Sequence, residues 1–328
     1  MTEGRLRVGR RLHRGSRRLR WALTGCLLLW GAAAAASGPA EVGLVVKGGT
    51  LVVEPSVTYV RTSAEELALE DYVFLPIPGA TIEDLDRNLW SAALELRYGV
   101  TSRLTVAARL PYVWRDDEVT LRADAEGAPR ETVELTGSGL GDVEFGTRYQ
   151  LNRDRGRGPV FFADVWAKAP TGEHQFEIDR GADGLLEDLP TGSGFWSVRP
   201  ALTAALLRYE LTLFGEASYR WTVKRDFGGT HGEVDPGDVA AVRVGLDRQF
   251  LEKYGMVLAY EHGVVTRPEV DGRKVEGSET LHVGLFTVGW YYRPGGFLGW
   301  NLNLSARITQ DAPSFVASFS VPLSFPLF

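Results

Sequence analysis

A single cysteine, Cys26, serves a chain of 328 residues. That scarcity excludes a disulfide framework and any metal site built from several thiolates. Histidine is scarce as well. His174, His231, His262 and His282 are the ones beyond residue 36, and none stands in an H-E-x-x-H or comparable ligand spacing. There is no G-x-S-x-G elbow. "GSGLGD" at 137–142 places Asp142 where a dinucleotide fingerprint needs its third glycine. "DRGADGLLEDL" at 179–189 has the acidity of a calcium loop, yet Gly181 replaces the second ligand and Pro190 the closing glutamate, so it reads as a solvated acidic loop. The sequence therefore offers no catalytic residues, no cofactor and no metal.

Long hydrophobic runs are also missing. Beyond the N-terminus none approaches the roughly 18 residues that a membrane helix needs. This excludes a helix-spanning architecture but not a membrane barrel, whose strands alternate apolar and polar residues and average to a bland hydropathy.

What is there begins with "RLRVGRRLHRGSRRLR", followed by the apolar "WALTGCLLLWGAAAAAS". Charged, apolar and small-residue segments in that order are the layout of a secretory signal peptide. Cleavage is expected after Ala36, which divides the chain into a signal at 1–36 and one mature domain at 37–328. "LTGC" has the look of a lipobox, but the apolar stretch runs on past Cys26, so the cysteine leaves with the signal. Removing the signal takes away eight arginines and one glutamate, moving the net charge from -6 to -13. So acidic a protein is a poor partner for nucleic acid.

Along the mature chain, alternation with a period of two recurs almost without interruption. In "GLGDVEFGTRYQL" at 139–151, Val143, Phe145, Tyr149 and Leu151 share one face, and Asp142, Glu144, Arg148 and Gln150 the other. About twelve strands are expected, near 50–63, 87–100, 103–115, 140–152, 158–170, 194–208, 210–224, 237–250, 254–267, 279–293, 296–309 and 313–325. Short turns alternate with longer polar connections at 64–86, 116–139, 171–193, 225–236 and 268–278, as in outer-membrane barrels. Aromatics gather at both strand ends. Tyr59, Trp90, Trp114, Trp196 and Trp221 lie toward the long loops, and Tyr98, Tyr149, Phe250, Tyr254, Tyr291 and Trp300 toward the short turns. Two such belts suit two membrane interfaces.

The expected fold is thus all-β, a transmembrane antiparallel up-and-down barrel of about twelve strands. Alternation alone does not say which face is inside, and a soluble sandwich or lipocalin-like barrel would reverse the faces. In the membrane reading the charged face lines the lumen. Its candidate lining residues are Glu95, Arg97 and Arg109 on the second and third strands, and Asp142, Glu144 and Arg148 on the fourth. Phe162, Asp164, Trp166 and Lys168 follow on the fifth, and Arg199, Phe214, Glu216 and Arg220 on the sixth and seventh. Arg243, Asp247 and Arg307 complete the set. Both signs are interspersed, which implies lateral ion pairs. The three inward rings make either a track for aromatic solutes or simple filling.

Two segments stay open. "YVFLPIPGA" within 64–86 either folds inward as a gate or lies on the membrane surface. The chain closes on "FVASFSVPLSFPLF", and its terminal aromatic is either Phe325 in phase or Phe328 through a bulge.

Several segments resemble one family, the outer-membrane transporter-like proteins of the meta-cleavage pathway of phenol degradation. They are "EPSVTYV" at 54–60, "LRYGVTSRLTVAARLPYVWRDD" at 96–117, "GSGLGDVEFGTRYQL" at 137–151, "VWAKAPTG" at 165–172 and "LPTGSGFW" at 189–196. Past about residue 225 the resemblance is one of pattern rather than motif. It implies a non-enzymatic outer-membrane channel for hydrophobic or aromatic solutes in a Gram-negative cell. Its partners would be outer-membrane lipid, the solutes themselves and the barrel-assembly machinery, engaged through the C-terminal strand. The alternative is a structural or anchoring barrel with a plugged interior.

Overall fold

The computed structural model describes residues 45–64, 80–123, 130–153, 158–179, 186–229, 231–250, 253–275, 278–294 and 297–327. The strands are β1 (Thr50–Ala64), β2 (Ala80–Gly99), β3 (Leu104–Ala123), β4 (Arg130–Leu140), β5 (Val143–Gln150) and β6 (Val160–Ala169). They continue with β7 (Ser197–Arg208), β8 (Leu211–Thr222), β9 (Arg225–Asp226), β10 (Glu233–Asp235), β11 (Val239–Phe250) and β12 (Tyr254–Val265). The last are β13 (Glu269–Val270), β14 (Arg273–Lys274), β15 (Leu281–Tyr292), β16 (Trp300–Arg307), β17 (Phe315–Ser320) and β18 (Leu323–Pro326).

Each long strand pairs antiparallel with the next, and β17 and β18 return to pair with β1. β4 and β5 form one stave and β17 and β18 another, so the sheet closes as a twelve-stranded barrel. Closure leaves no edge, which is the condition for a sheet to sit in lipid with every backbone group satisfied. No described residue is helical. The four short strands β9, β10, β13 and β14 make a separate small sheet in the long loops. Both described chain termini and the short turns lie at one end of the barrel, here called the turn end, and the long connections at the other, the loop end. Tyr209, at the tip of the two-residue turn between β7 and β8, takes a φ of 45°, the sign that tight hairpins require.

The faces of the sheet decide between membrane barrel and soluble sandwich. Trp90, Leu202, Trp221 and Val242 are each at least half exposed on the outside. Asp164, Arg220, Arg243 and Asn301 are buried inside. A soluble barrel has the reverse arrangement, so the outward face is built for lipid. The belts follow, with one correction. Tyr291 belongs to the inner face, where its hydroxyl donates to Asp247 Oδ1 at 2.9 Å, and Trp290 is the exposed ring beside it.

Two further expectations are revised. Within the span 116–139, residues 116–123 and 130–139 are strand rather than loop: β3 and β4 remain paired from Tyr112↔Leu140 up to Arg122↔Arg130, so they rise beyond the aromatic belt. The span 80–86 likewise belongs to β2, while 65–79, which carries most of the apolar "YVFLPIPGA", lies outside the described residues. At the C-terminus Phe325 pairs with Leu51 without any slip, because β17 and β18 keep one register against β1. Phe328 lies outside the described residues, as do residues 1–44 with the expected signal.

Candidate transport lumen

The inner face carries its charges in cross-strand rows. One row runs Glu54↔Glu95 across β1 and β2, then Arg109, Glu144 and Lys168 on β3, β5 and β6. Another runs from Gln150 and Phe162 through Thr203, Glu216, Arg243 and Glu261 to Leu285 and Arg307. Opposite charges therefore meet laterally in most places, and adjacent opposite-charge pairs stabilise a sheet. Arg97 is ion-paired with Glu54 and lies 3.5 Å from Glu95. Arg148 reaches Asp164 at 2.6 Å, Lys168 reaches Asp142 at 3.2 Å, and Arg199 reaches Glu216 at 3.2 Å. Thr203 donates to the second oxygen of Glu216 at 3.2 Å.

The candidate lining residues from Glu95 to Asp247 occupy this inner register, with Arg307 in phase with them but exposed at the loop end. Phe162 and Phe214 join Val160, Ala205, Val257, Ala259 and Tyr291 in one apolar cluster. Guanidinium groups flank it, Arg148 at 5.9 Å from the Phe162 ring and Arg243 at 5.8 Å from that of Phe214. Trp166 stands apart, over Gly146, where any Cβ would come within 2.4 Å of the indole. A glycine on the charged face of β5 thus leaves room for a ring from β6.

At the turn end, the segment before β1 enters the barrel. The Val46 amide donates to the inward Thr105 Oγ1 at 2.9 Å, and Val45 packs against the Phe162 cluster. Nothing in the alternation pattern announces this, because the segment precedes the first strand.

At the loop end, a bulge organises the mouth. β3 pairs β4 with Tyr112↔Leu140 but β5 with Arg109↔Glu144, a slip of one residue at Gly141–Asp142. The extra residue sends the Asp142 side chain inward, which is a common use of a bulge. Its Oδ1 accepts from the Gly172 amide at 3.1 Å, and its Oδ2 from the Ser193 amide at 2.9 Å and the Ser193 hydroxyl at 2.6 Å. Thr191 Oγ1 donates to the Leu140 carbonyl at 2.8 Å. Thus 171–176 and 189–195 are folded into the mouth. Gly172 and Gly192 touch there, with room for no side chain on either. Behind them, Arg115 reaches the Pro190 carbonyl at 3.1 Å and shares Asp117 with Arg87. The small and hydroxyl residues of "LPTGSG" are the local signal for this close packing.

Rings fill the space above. Phe176 stacks on Phe227 at 3.9 Å, and Phe195 meets both edge-on. Phe195 anchors an apolar cluster with Val234, Val239, Val265, Val275 and Leu281. His174 is buried here, 5.2 Å from the Phe227 ring, with Nε2 3.1 Å from Glu177 Oε1. Burial lowers its pKa from the ordinary imidazole value, Glu177 pulls upward and Arg225 pushes down. Among the described residues no group of three or more His, Cys, Asp or Glu is placed to hold a metal.

No protein-family model matches the chain. Its fold superposes on an outer-membrane channel from Pseudomonas putida F1 with a TM-score of 0.60 at 17% identity, over 88% of this chain and 99% of that one. The translocator domain of the autotransporter NalP from Neisseria meningitidis gives 0.48 at 10% identity, over 90% and 94%. The first superposition shows that the fold is that of an outer-membrane barrel.

Proposed function

We propose that this chain is an outer-membrane channel that passes small hydrophobic or aromatic solutes through its lumen by passive diffusion. The observation that carries the reading is the way the loops fold into the mouth. Residues 171–176 and 189–195 are held by side-chain hydrogen bonds to Asp142, by the Thr191 hydroxyl on the Leu140 carbonyl and by ring packing, with one backbone bond from the Leu189 amide to the Thr136 carbonyl of β4 rather than a run of strand pairing. Bonds of that kind open at a cost of a few kcal/mol, within reach of thermal motion on functional timescales. Beneath lie the Phe162–Phe214 cluster and a wall of compensated charge. The outer-membrane channel from Pseudomonas putida F1 supports the architecture. In this reading the segment 1–36 directs export, the turn end faces the periplasm, and the C-terminal strand is what the barrel-assembly machinery engages. The role is non-catalytic. Membership in the phenol meta-pathway family rests on the five segments quoted above.

The extent of ion pairing also favours a plugged structural barrel, since paired charges need no ligand. Permeation separates the two. Refolded protein in lipid bilayers is expected to give little steady ion conductance but to speed the entry of phenolic solutes into liposomes. Silence toward both, from a barrel shown to be folded, removes the channel reading.

A further inference from the structure

The charged rows do not run evenly round the lumen. Across β15, β16, β17, β1 and β2, the middle of the inner face carries no charge. It carries hydroxyls and amides, with Thr287 beside Ser305, Asn303 beside Ser318, and Asn301 beside Ser320 in register. Thr58 and Ser91 extend the patch across β1 and β2. Toward the loop end it gives way to an apolar cluster of Val60, Leu89, Val113 and Val316. Toward the turn end it stops at Glu54.

The asparagine amides of this patch donate within the wall. Asn301 Nδ2 donates to Ser320 Oγ at 3.0 Å and to Glu54 Oε1 at 3.3 Å, and Asn303 Nδ2 donates to Ser318 Oγ at 3.4 Å. The carboxylate of Glu54, ion-paired to Arg97, only accepts, which fixes the Asn301 amide with its nitrogen toward Glu54. Its oxygen is left over. Asn301 Oδ1, Asn303 Oδ1 and Thr58 Oγ1 have no hydrogen-bond partner among the described residues. Both asparagines are only 2% exposed. A buried acceptor without a donor is costly, so such groups mark places where a donor from elsewhere completes the wall.

We propose that this patch is a recognition site for an uncharged solute with a hydroxyl donor on an apolar body, a phenol or an alcohol. The hydroxyl donates to Asn303 or Asn301 Oδ1, and the body lies against Val60, Leu89, Val113 and Val316. An anionic solute finds no counter-charge on this wall, and a pure hydrocarbon leaves the acceptors unpaired. The inference rests on the channel reading and gives it a substrate class.

The test is a titration of asparagine-labelled protein in nanodiscs with p-cresol, toluene and benzoate, followed through the side-chain amide resonances. p-Cresol is expected to move the Asn301 and Asn303 signals, while toluene and benzoate leave them in place. The double variant Asn301→Leu, Asn303→Leu is expected to bind p-cresol about tenfold more weakly, the scale of one unmade buried hydrogen bond, with toluene within about twofold. Toluene affinity kept within that range in the double variant guards against a simple folding defect. Equal affinities for p-cresol and toluene in wild type and double variant overturn the site and assign the oxygens to lumen water. Binding at the asparagines without solute entry into liposomes upholds the site and removes the channel reading instead.

Discussion

Asp142 owes its role to a displacement of one residue. The slip between β4 and β5 turns its carboxylate into the mouth, where it gathers two amides, a hydroxyl and the ammonium of Lys168. Asp142→Ala strands those buried donors and is expected to weaken loop docking by about 3 kcal/mol. Limited proteolysis within 171–195 should then be on the order of 100-fold faster, while the barrel still migrates as a folded species on gels. An unchanged cleavage rate would refute the latch. His174 adds a pH dependence. Its pKa is lowered in the docked loop, chiefly by burial, so the protonated form favours the released loop. Docking is therefore strongest above the ordinary imidazole pKa of about 6.5 and weakens as pH falls through that value and below. Hydrogen exchange of the 171–195 amides is expected to quicken between pH 7.5 and 5 beyond the intrinsic rate change. In His174→Gln that extra quickening should vanish.

Among the elements, β5 and β6 depend on one close approach. Trp166 lies over Gly146, and a Cβ there would overlap the indole. Gly146→Val is expected to cost about 2–3 kcal/mol, read as a lower denaturant midpoint, and Trp166→Ala in the same chain should recover most of it. If the two changes simply add, the contact is not the cause. The strands themselves were legible because lipid outside and charge inside force strict alternation. The rise of β3 and β4 beyond the membrane was not. There the outward Thr132, Glu134, Thr136 and Ser138 face water, and a strand polar on its outer face reads as a loop. The bulge was hidden for a related reason. Asp142 continues the phase of Glu144 and Arg148, and only the pairing to β3 shows that β4 has the opposite phase.

For the whole molecule, the sequence suggested the closed barrel, its aromatic belts and its charged lumen, since each follows from which residues tolerate lipid. The inward loop was not legible, because "APTGEH" and "LPTGSGFW" look like ordinary turn chemistry until Asp142 is seen between them. The segment before β1 was hidden in the same way. One consequence of closure concerns the order of the chain. The Leu327 amide donates to the Gly49 carbonyl at 2.8 Å beside the β1–β18 pairing, so the two ends of the barrel wall meet at the turn end. An even number of staves guarantees that both ends arrive on one side, and here they also arrive at one point. The barrel is in effect a ring whose starting strand is arbitrary. A chain joined at that point and opened instead at a loop would encode the same wall, with its new termini delivered to the opposite side of the membrane.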